Sequence, residues 1–224
     1  MTTTTRREVQ PLTAEDMKIM DIPPNFWRAS REQITAQLSD GSIPLIEGLE
    51  HYLGNWDEVW ERGVGLILAG PNGIGKTCAV AWLAKEFRRY SKRVLFMPAS
   101  LLWEYKMDRT LFPHNLEYTY WQWAQRVSVL IIDDFGKGME ANGNTAIMWD
   151  ELLRIRLGRR LVTIITTNLD ICKQDNKDGV GIDSVVKDST WSVIKENMIP
   201  LSLTGGDRRD KKVKRNLSLV QSHE

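Results

Sequence analysis

The sequence predicts an α/β fold with a five-stranded, mainly parallel sheet sandwiched by helices. Three observations carry this. Short apolar runs recur at 64–69, 93–97, 127–132, 161–166 and 199–203, the length expected of buried strands. Helical stretches fill most of the gaps, and strand–helix alternation is the signature of a parallel sheet covered on both faces. The first run leads directly into Gly70-Pro71-Asn72-Gly73-Ile74-Gly75-Lys76-Thr77, which matches G-x-x-x-x-G-K-[ST] and precedes a helix.

Taken in order, residues 1–24 read as a flexible N-terminal tail with one short helix over Ala14–Met20, a candidate partner-binding element. Ile22-Pro23-Pro24 closes it, because the residue before a proline is pushed out of helical geometry. Ser30 is placed to cap a helix running to about Leu38. From Pro44 to Trp60, Leu45, Leu49, Leu53, Trp56 and Trp60 recur at spacings of three and four and give one apolar helix face. Further helices are expected over 76–90, 100–108, 117–126 and 145–157. Asp170–Lys187 is polar and contains glycine, and reads as a long loop. The folded domain spans 25–206. Residues 207–224 form a basic tail with Arg208, Arg209, Lys211, Lys212, Lys214 and Arg215.

The 224 residues, 42% hydrophobic and 26% charged, suit one globular domain with short extensions. A net charge of +1 singles out no class of partner. The two cysteines, Cys78 and Cys172, are far apart and form no C-x-x-C, which argues against a disulfide framework or a zinc site and for a reducing cytoplasm. No apolar run approaches the ~20 residues a membrane helix needs. Nine tryptophans are many for this length, and most are expected to pack in the core.

The phosphate loop states its chemistry. Glycines let the backbone wrap a polyphosphate with several N–H groups pointing inward. Lys76 can neutralise the β/γ-phosphates and the Thr77 hydroxyl can ligate Mg²⁺. Gly70, Pro71, Asn72, Gly73, Ile74, Gly75, Lys76, Thr77 and Cys78 are therefore the candidate nucleotide-binding residues. Val129-Leu130-Ile131-Ile132-Asp133-Asp134 is an apolar strand ending in two carboxylates. Asp133 takes the metal role with Thr77, and Asp134 the role of base toward an attacking water. The next strand ends at Thr166-Thr167-Asn168, where an amide can reach the γ-phosphate and that water. An asparagine after a strand is otherwise an ordinary turn residue.

Together these segments resemble AAA+ ATPases, and in particular the DnaC/IstB-like group that includes replicative helicase loaders. The resemblance rests on Gly65–Thr77, Leu130–Gly136, Thr166–Asn168 and the closing Gly205-Gly206-Asp207-Arg208-Arg209, and covers about residues 20–210. It implies a P-loop AAA+ core, ATP and Mg²⁺ as cofactors, ATP hydrolysis, and a replicative helicase and single-stranded DNA as partners. It also implies an ATP-dependent homo-oligomer in the cytoplasm. Where the group usually has Ser-Arg, the arginine offered to a neighbouring subunit's ATP, this chain has Ser192-Val193-Ile194-Lys195. Arg209 fits the closing pattern best as the substitute, ahead of Lys195 and Arg208. A missing arginine of this kind lowers related rates by ~10³–10⁵, so turnover is expected to be slow or partner-dependent. Three candidate DNA contacts follow. The insert Leu101–Arg126 carries Trp103, Tyr105, Lys106, Arg109, Tyr118, Tyr120, Trp121 and Trp123, and cationic grooves with aromatic platforms bind single strands. Lys137 and the basic tail are the others. Helical spacing in the insert fits core packing equally. An IstB-like transposition helper, a small P-loop kinase and a non-catalytic nucleotide-binding adaptor remain as alternatives.

Overall fold

The computed structural model describes residues 11–136, 143–172 and 180–207. Its strands are β1 (Gln37–Leu38), β2 (Gly65–Ala69), β3 (Val94–Pro98), β4 (Leu111–Phe112), β5 (Asn115–Thr119), β6 (Val129–Phe135), β7 (Val162–Thr167) and β8 (Met198–Thr204). The α-helices are α1 (Ala14–Ile19), α2 (Leu45–Gly54), α3 (Trp56–Arg62), α4 (Lys76–Arg89), α5 (Leu102–Met107), α6 (Tyr120–Ala124), α7 (Gly143–Gly158) and α8 (Asp188–Asn197).

Among the described residues, six strands form one sheet in the order β1-β8-β2-β7-β6-β3. The five anticipated strands are parallel, and the sixth, β1, pairs antiparallel with the edge of β8. Every residue of β2 and β7 is buried, as expected of central strands covered on both faces. Alternation along the strands divides the core in two. Leu66, Leu68, Phe96, Ile131 and Ile164 face α1, α2 and α4, whereas Ile67, Leu95, Ile132 and Ile165 face α6 and α7.

This strand order does the positioning. β2, β7 and β6 are neighbours, so their C-terminal ends bring together segments far apart in sequence. Ligands of open α/β sheets bind outside these ends.

Several sequence expectations change. The stretch after Ser30 is one 3₁₀ turn, Arg31–Gln33, because Ile34 is extended (φ −90°, ψ 99°) and the chain goes on into β1. The single helix expected over 44–60 is two, broken at Asn55, whose amide donates to His51 O (2.9 Å). Part of the helix expected over 117–126 is the β4–β5 hairpin, and only Tyr120–Ala124 is helical. α8 follows the expected long loop and was not anticipated. The flexible tail expected to residue 24 does not hold for residues 14–22. Met17, Met20 and Ile22 are buried in the core, and Phe96 N–H of β3 donates to Met20 O (2.8 Å). Residues 1–10, Lys137 and 208–224 lie outside the described residues.

Arg156 of α7 is fully buried. Its guanidinium donates to Thr163 Oγ1 (3.0 Å), Ala124 O (2.6 Å), Val127 O (2.9 Å) and Val162 O (2.7 Å). It joins α7 to β7 and to the approach to β6. Burial alone pushes its pKa down, and the four acceptors offset that desolvation.

Candidate nucleotide-binding site

The phosphate loop spans the turn from β2 to α4. Gly70 (φ 158°) has extended backbone, and a Cβ there would lie 2.6 Å from Leu203 O of β8, so the loop leaves the sheet against its neighbour's backbone. Gly73 needs the left-handed region (φ 82°), and a Cβ there would lie 2.0 Å from Asp207 Oδ1. The closing segment, carried up by β8, therefore rests against this loop.

Lys76 is buried, with only 5% of its surface exposed. Its Nζ donates to Gly70 O (2.7 Å), Pro71 O (2.8 Å) and Asn168 Oδ1 (2.7 Å). The ammonium is thus fixed under the loop, and the asparagine at the end of β7 reaches it directly. Thr77 Oγ1 donates to Asp133 Oδ1 (3.1 Å), and Thr166 Oγ1 donates to the same oxygen (2.6 Å). Burial is the main cause that raises the Asp133 pKa above the usual carboxylate range. The adjacent Asp134 charge adds to this, while the two hydroxyls and Lys76 oppose it.

Consecutive strand residues normally point to opposite faces, which would separate Asp133 from Asp134. The structure departs from that rule. Between Ile132↔Ile165 and Phe135↔Thr167, β6 advances three residues against two of β7, and Asp134 has φ 58°. This bulge turns the strand, and Asp134 N–H donates to Thr166 Oγ1 (3.0 Å) in place of a ladder carbonyl. Thr166 thereby joins both acids, accepting from one residue's backbone and donating to the other's carboxylate. The sequence shows Thr166 only as a strand residue.

The donor set fits Mg²⁺. Adjacent oxygen ligands of an octahedral ion with bonds of ~2.0–2.1 Å lie about 2.9 Å apart, and Thr77 Oγ1 and Asp133 Oδ1 are separated by 3.1 Å. Among the described residues no group of three or more His, Cys, Asp or Glu side chains could hold a metal.

The remaining candidates divide. Cys78 is buried in the first turn of α4, and its Sγ lies 3.6 Å from Gln33 Oε1. Val193 packs partly buried against the core, and Lys195 is exposed with its Nζ 5.8 Å from the Trp191 ring. Arg208 and Arg209 lie outside the described residues. In the insert, Trp121 and Trp123 are buried, and Tyr105 stacks on Tyr120 (4.5 Å). Lys106 and Arg126 cover the faces of Trp121 (4.2 Å) and Tyr118 (5.0 Å). Trp103 and Arg109 remain exposed. Two of the six expected stacking platforms, Trp121 and Trp123, are therefore core residues, and Tyr105, Tyr118 and Tyr120 lie partly buried against that core. No helix among the described residues is long and apolar enough to cross a membrane.

No family model matches the chain. It is 27% identical over 159 residues to the replicative helicase loader DnaI of Bacillus subtilis (strain 168), a match covering 68% of this chain and 48% of that protein. The chain thus spans about half the length of this curated relative. Its fold is shared by the DnaC helicase loader, with a TM-score of 0.64, 20% identity and 81% and 100% of the two chains covered. The replication initiator DnaA bound to AMPPCP and single-stranded DNA aligns with a TM-score of 0.55 and 16% identity over 88% and 56%. The fold is that of AAA+ P-loop proteins, and the resemblance to the DnaC-like group holds in both sequence and structure.

Proposed function

We propose that this chain is an ATP- and Mg²⁺-dependent helicase-loader-like ATPase of DNA replication, acting on a replicative helicase and single-stranded DNA as an ATP-dependent oligomer. One observation carries the nucleotide part. Beneath the phosphate loop, Lys76 of α4 is hydrogen-bonded to Asn168 after β7, and beside them Thr77 of α4 and Thr166 of β7 both donate to Asp133 of β6. The sequence match to a helicase loader supports the biological part.

In this reading the loop's N–H groups and Lys76 bind the phosphates. Thr77 and Asp133 would hold the Mg²⁺, which would supply charge neutralisation at the phosphates. Asp134 takes the proton of an attacking water, and Asn168 orients that water while also positioning Lys76. Arg209 follows Asp207, the last described residue, whose carboxylate lies against Gly73 of the phosphate loop. Arg209→Ala is expected to lower turnover at least ~10-fold with a smaller loss in binding, and Arg208→Ala serves as control.

Asp134→Asn should retain ATP·Mg²⁺ binding and lose turnover, since an amide cannot accept the proton. Asp133→Asn should instead weaken Mg²⁺-dependent binding while stabilising the empty protein. The sign follows from the raised pKa of Asp133. The folded state holds this proton more tightly than the unfolded chain, so stability falls as pH rises from the ordinary carboxylate range through the raised value. Removing the ionisable group removes that penalty at pH values where the carboxylate would be charged, and the amide oxygen still accepts from Thr77 and Thr166. Nucleotide titration with thermal unfolding checks both variants. Equal loss of binding in the two would contradict the division of roles.

The experiment for the biological reading is light scattering of the chain with ATP or ADP, with and without single-stranded DNA and a replicative helicase. Assembly favoured by ATP supports the loader reading, because a ligand shifts an equilibrium only by its differential affinity for two states. A strict monomer that binds neither partner overturns it.

A further inference from the structure

We infer that Gln33 reads the nucleobase and selects adenine over guanine; this deepens, and rests on, the reading of the phosphate loop as an ATP site. The loop fixes which way a nucleotide lies. Lys76, Asn168, Thr77 and Asp133 mark the end that receives the terminal phosphates and the metal. The nucleoside must then leave over the opposite flank, across the first turn of α4 at Cys78. The segment before β1 borders that flank and is fastened to α4. Lys85 Nζ of α4 donates to Trp27 O (3.2 Å) and to Ala29 O, and Ile34 and Ala36 are buried. The floor is small and apolar. A Cβ on Gly205 would lie 3.6 Å from the Ile74 side chain and 3.7 Å from Ala36 Cα.

Gln33 stands at the rim. Its Oε1 accepts from Ser30 N–H (3.3 Å) and lies 3.6 Å from Cys78 Sγ. The residue is exposed, and with its oxygen engaged the NH₂ group is what the carboxamide has left to offer a ligand. A donor held there distinguishes the two purines at ring nitrogen N1, an acceptor in adenine and an N–H donor in guanine. A site that must donate to the base rejects the ring that also donates, because two donors meet with no acceptor between them.

The test is displacement of a ribose-labelled fluorescent ATP by unlabelled ATP, GTP and tripolyphosphate, in wild type and in Gln33→Ala and Gln33→Glu. Wild type should prefer ATP to GTP by at least ~10-fold, the effect of one well-placed hydrogen bond. Both variants should lose that preference, Gln33→Glu because a carboxylate can satisfy Ser30 but cannot donate. Tripolyphosphate should compete equally in all three, and thermal midpoints should stay close, which a merely structural role would not produce for Gln33→Glu. An unchanged ATP/GTP ratio in the variants, or none in a wild type that binds ATP, overturns the inference and leaves the ATP site standing. A wild type that binds neither the fluorescent ATP nor tripolyphosphate overturns the ATP-site reading itself, and this inference with it.

Discussion

Replacing Lys76 with alanine is expected to lower ATP affinity at least ~100-fold while the protein stays folded. Lys76 is buried and held by Gly70 O, Pro71 O and Asn168 Oδ1. Its ammonium therefore stands in place before a nucleotide arrives, and little side-chain entropy remains to be lost on binding. Removing it deletes the cation held beneath the phosphate loop. It also leaves two backbone carbonyls and an amide oxygen without their donor, and their partial negative charges would face an incoming polyanion. Both effects act in the same direction. The measurement is the thermal midpoint with and without ATP·Mg²⁺, since a ligand that binds only the native state stabilises by RT ln(1 + [L]/Kd). Wild type should gain several degrees and Lys76→Ala none, with circular dichroism showing a folded variant. A full ATP-dependent shift in Lys76→Ala would remove the nucleotide assignment.

The second large effect is expected at Arg156→Ala, a loss of about 3–5 kcal/mol in unfolding free energy by urea denaturation. The guanidinium reaches four acceptors on three segments, all out of contact with water. Deleting it leaves Ala124, Val127 and Val162 carbonyls buried without a donor and opens a cavity between α7 and the sheet. A domain of this kind is stable by ~5–15 kcal/mol, so the variant should be near the edge of folding at 37 °C. Arg156→Lys should fall between, because an ammonium cannot span the same fork of acceptors. A loss under ~1 kcal/mol in Arg156→Ala would show that water enters and satisfies the freed carbonyls.

The parallel strands, the phosphate loop and the acidic strand end were legible because each is written locally, as an apolar run or a fixed spacing. The rest depends on tertiary context. The apolar face over 44–60 reads as one helix because Trp56 and Trp60 continue the three-and-four spacing across Asn55, and periodicity cannot register a break that keeps phase. Arg156 looks like the charged residue of a solvated helix face until α6 and β7 supply its acceptors. Trp121 and Trp123 carry the composition of a stacking surface, yet packing buries them. Asp133 and Asp134 suggest two roles from their order alone, but the bulge that lets neighbouring residues share one site is invisible without the partner strand.

The outer strands of the sheet bear on how this protein meets others. An uncovered strand edge invites a foreign strand to add to the ladder. Here one side is capped at its C-terminal end by the two residues of β1, which take up Leu203 and Thr204 of β8. On the other, β3 gives its Phe96 amide to the carbonyl of Met20, so the short N-terminal helix acts as a guard as well as a piece of core. Copies of the chain are thereby steered away from indiscriminate strand-to-strand growth. In the proposed ATP-dependent oligomer, contacts between copies would fall to side-chain surfaces, which a change of bound nucleotide could make and break, as it could not a fused β-ladder.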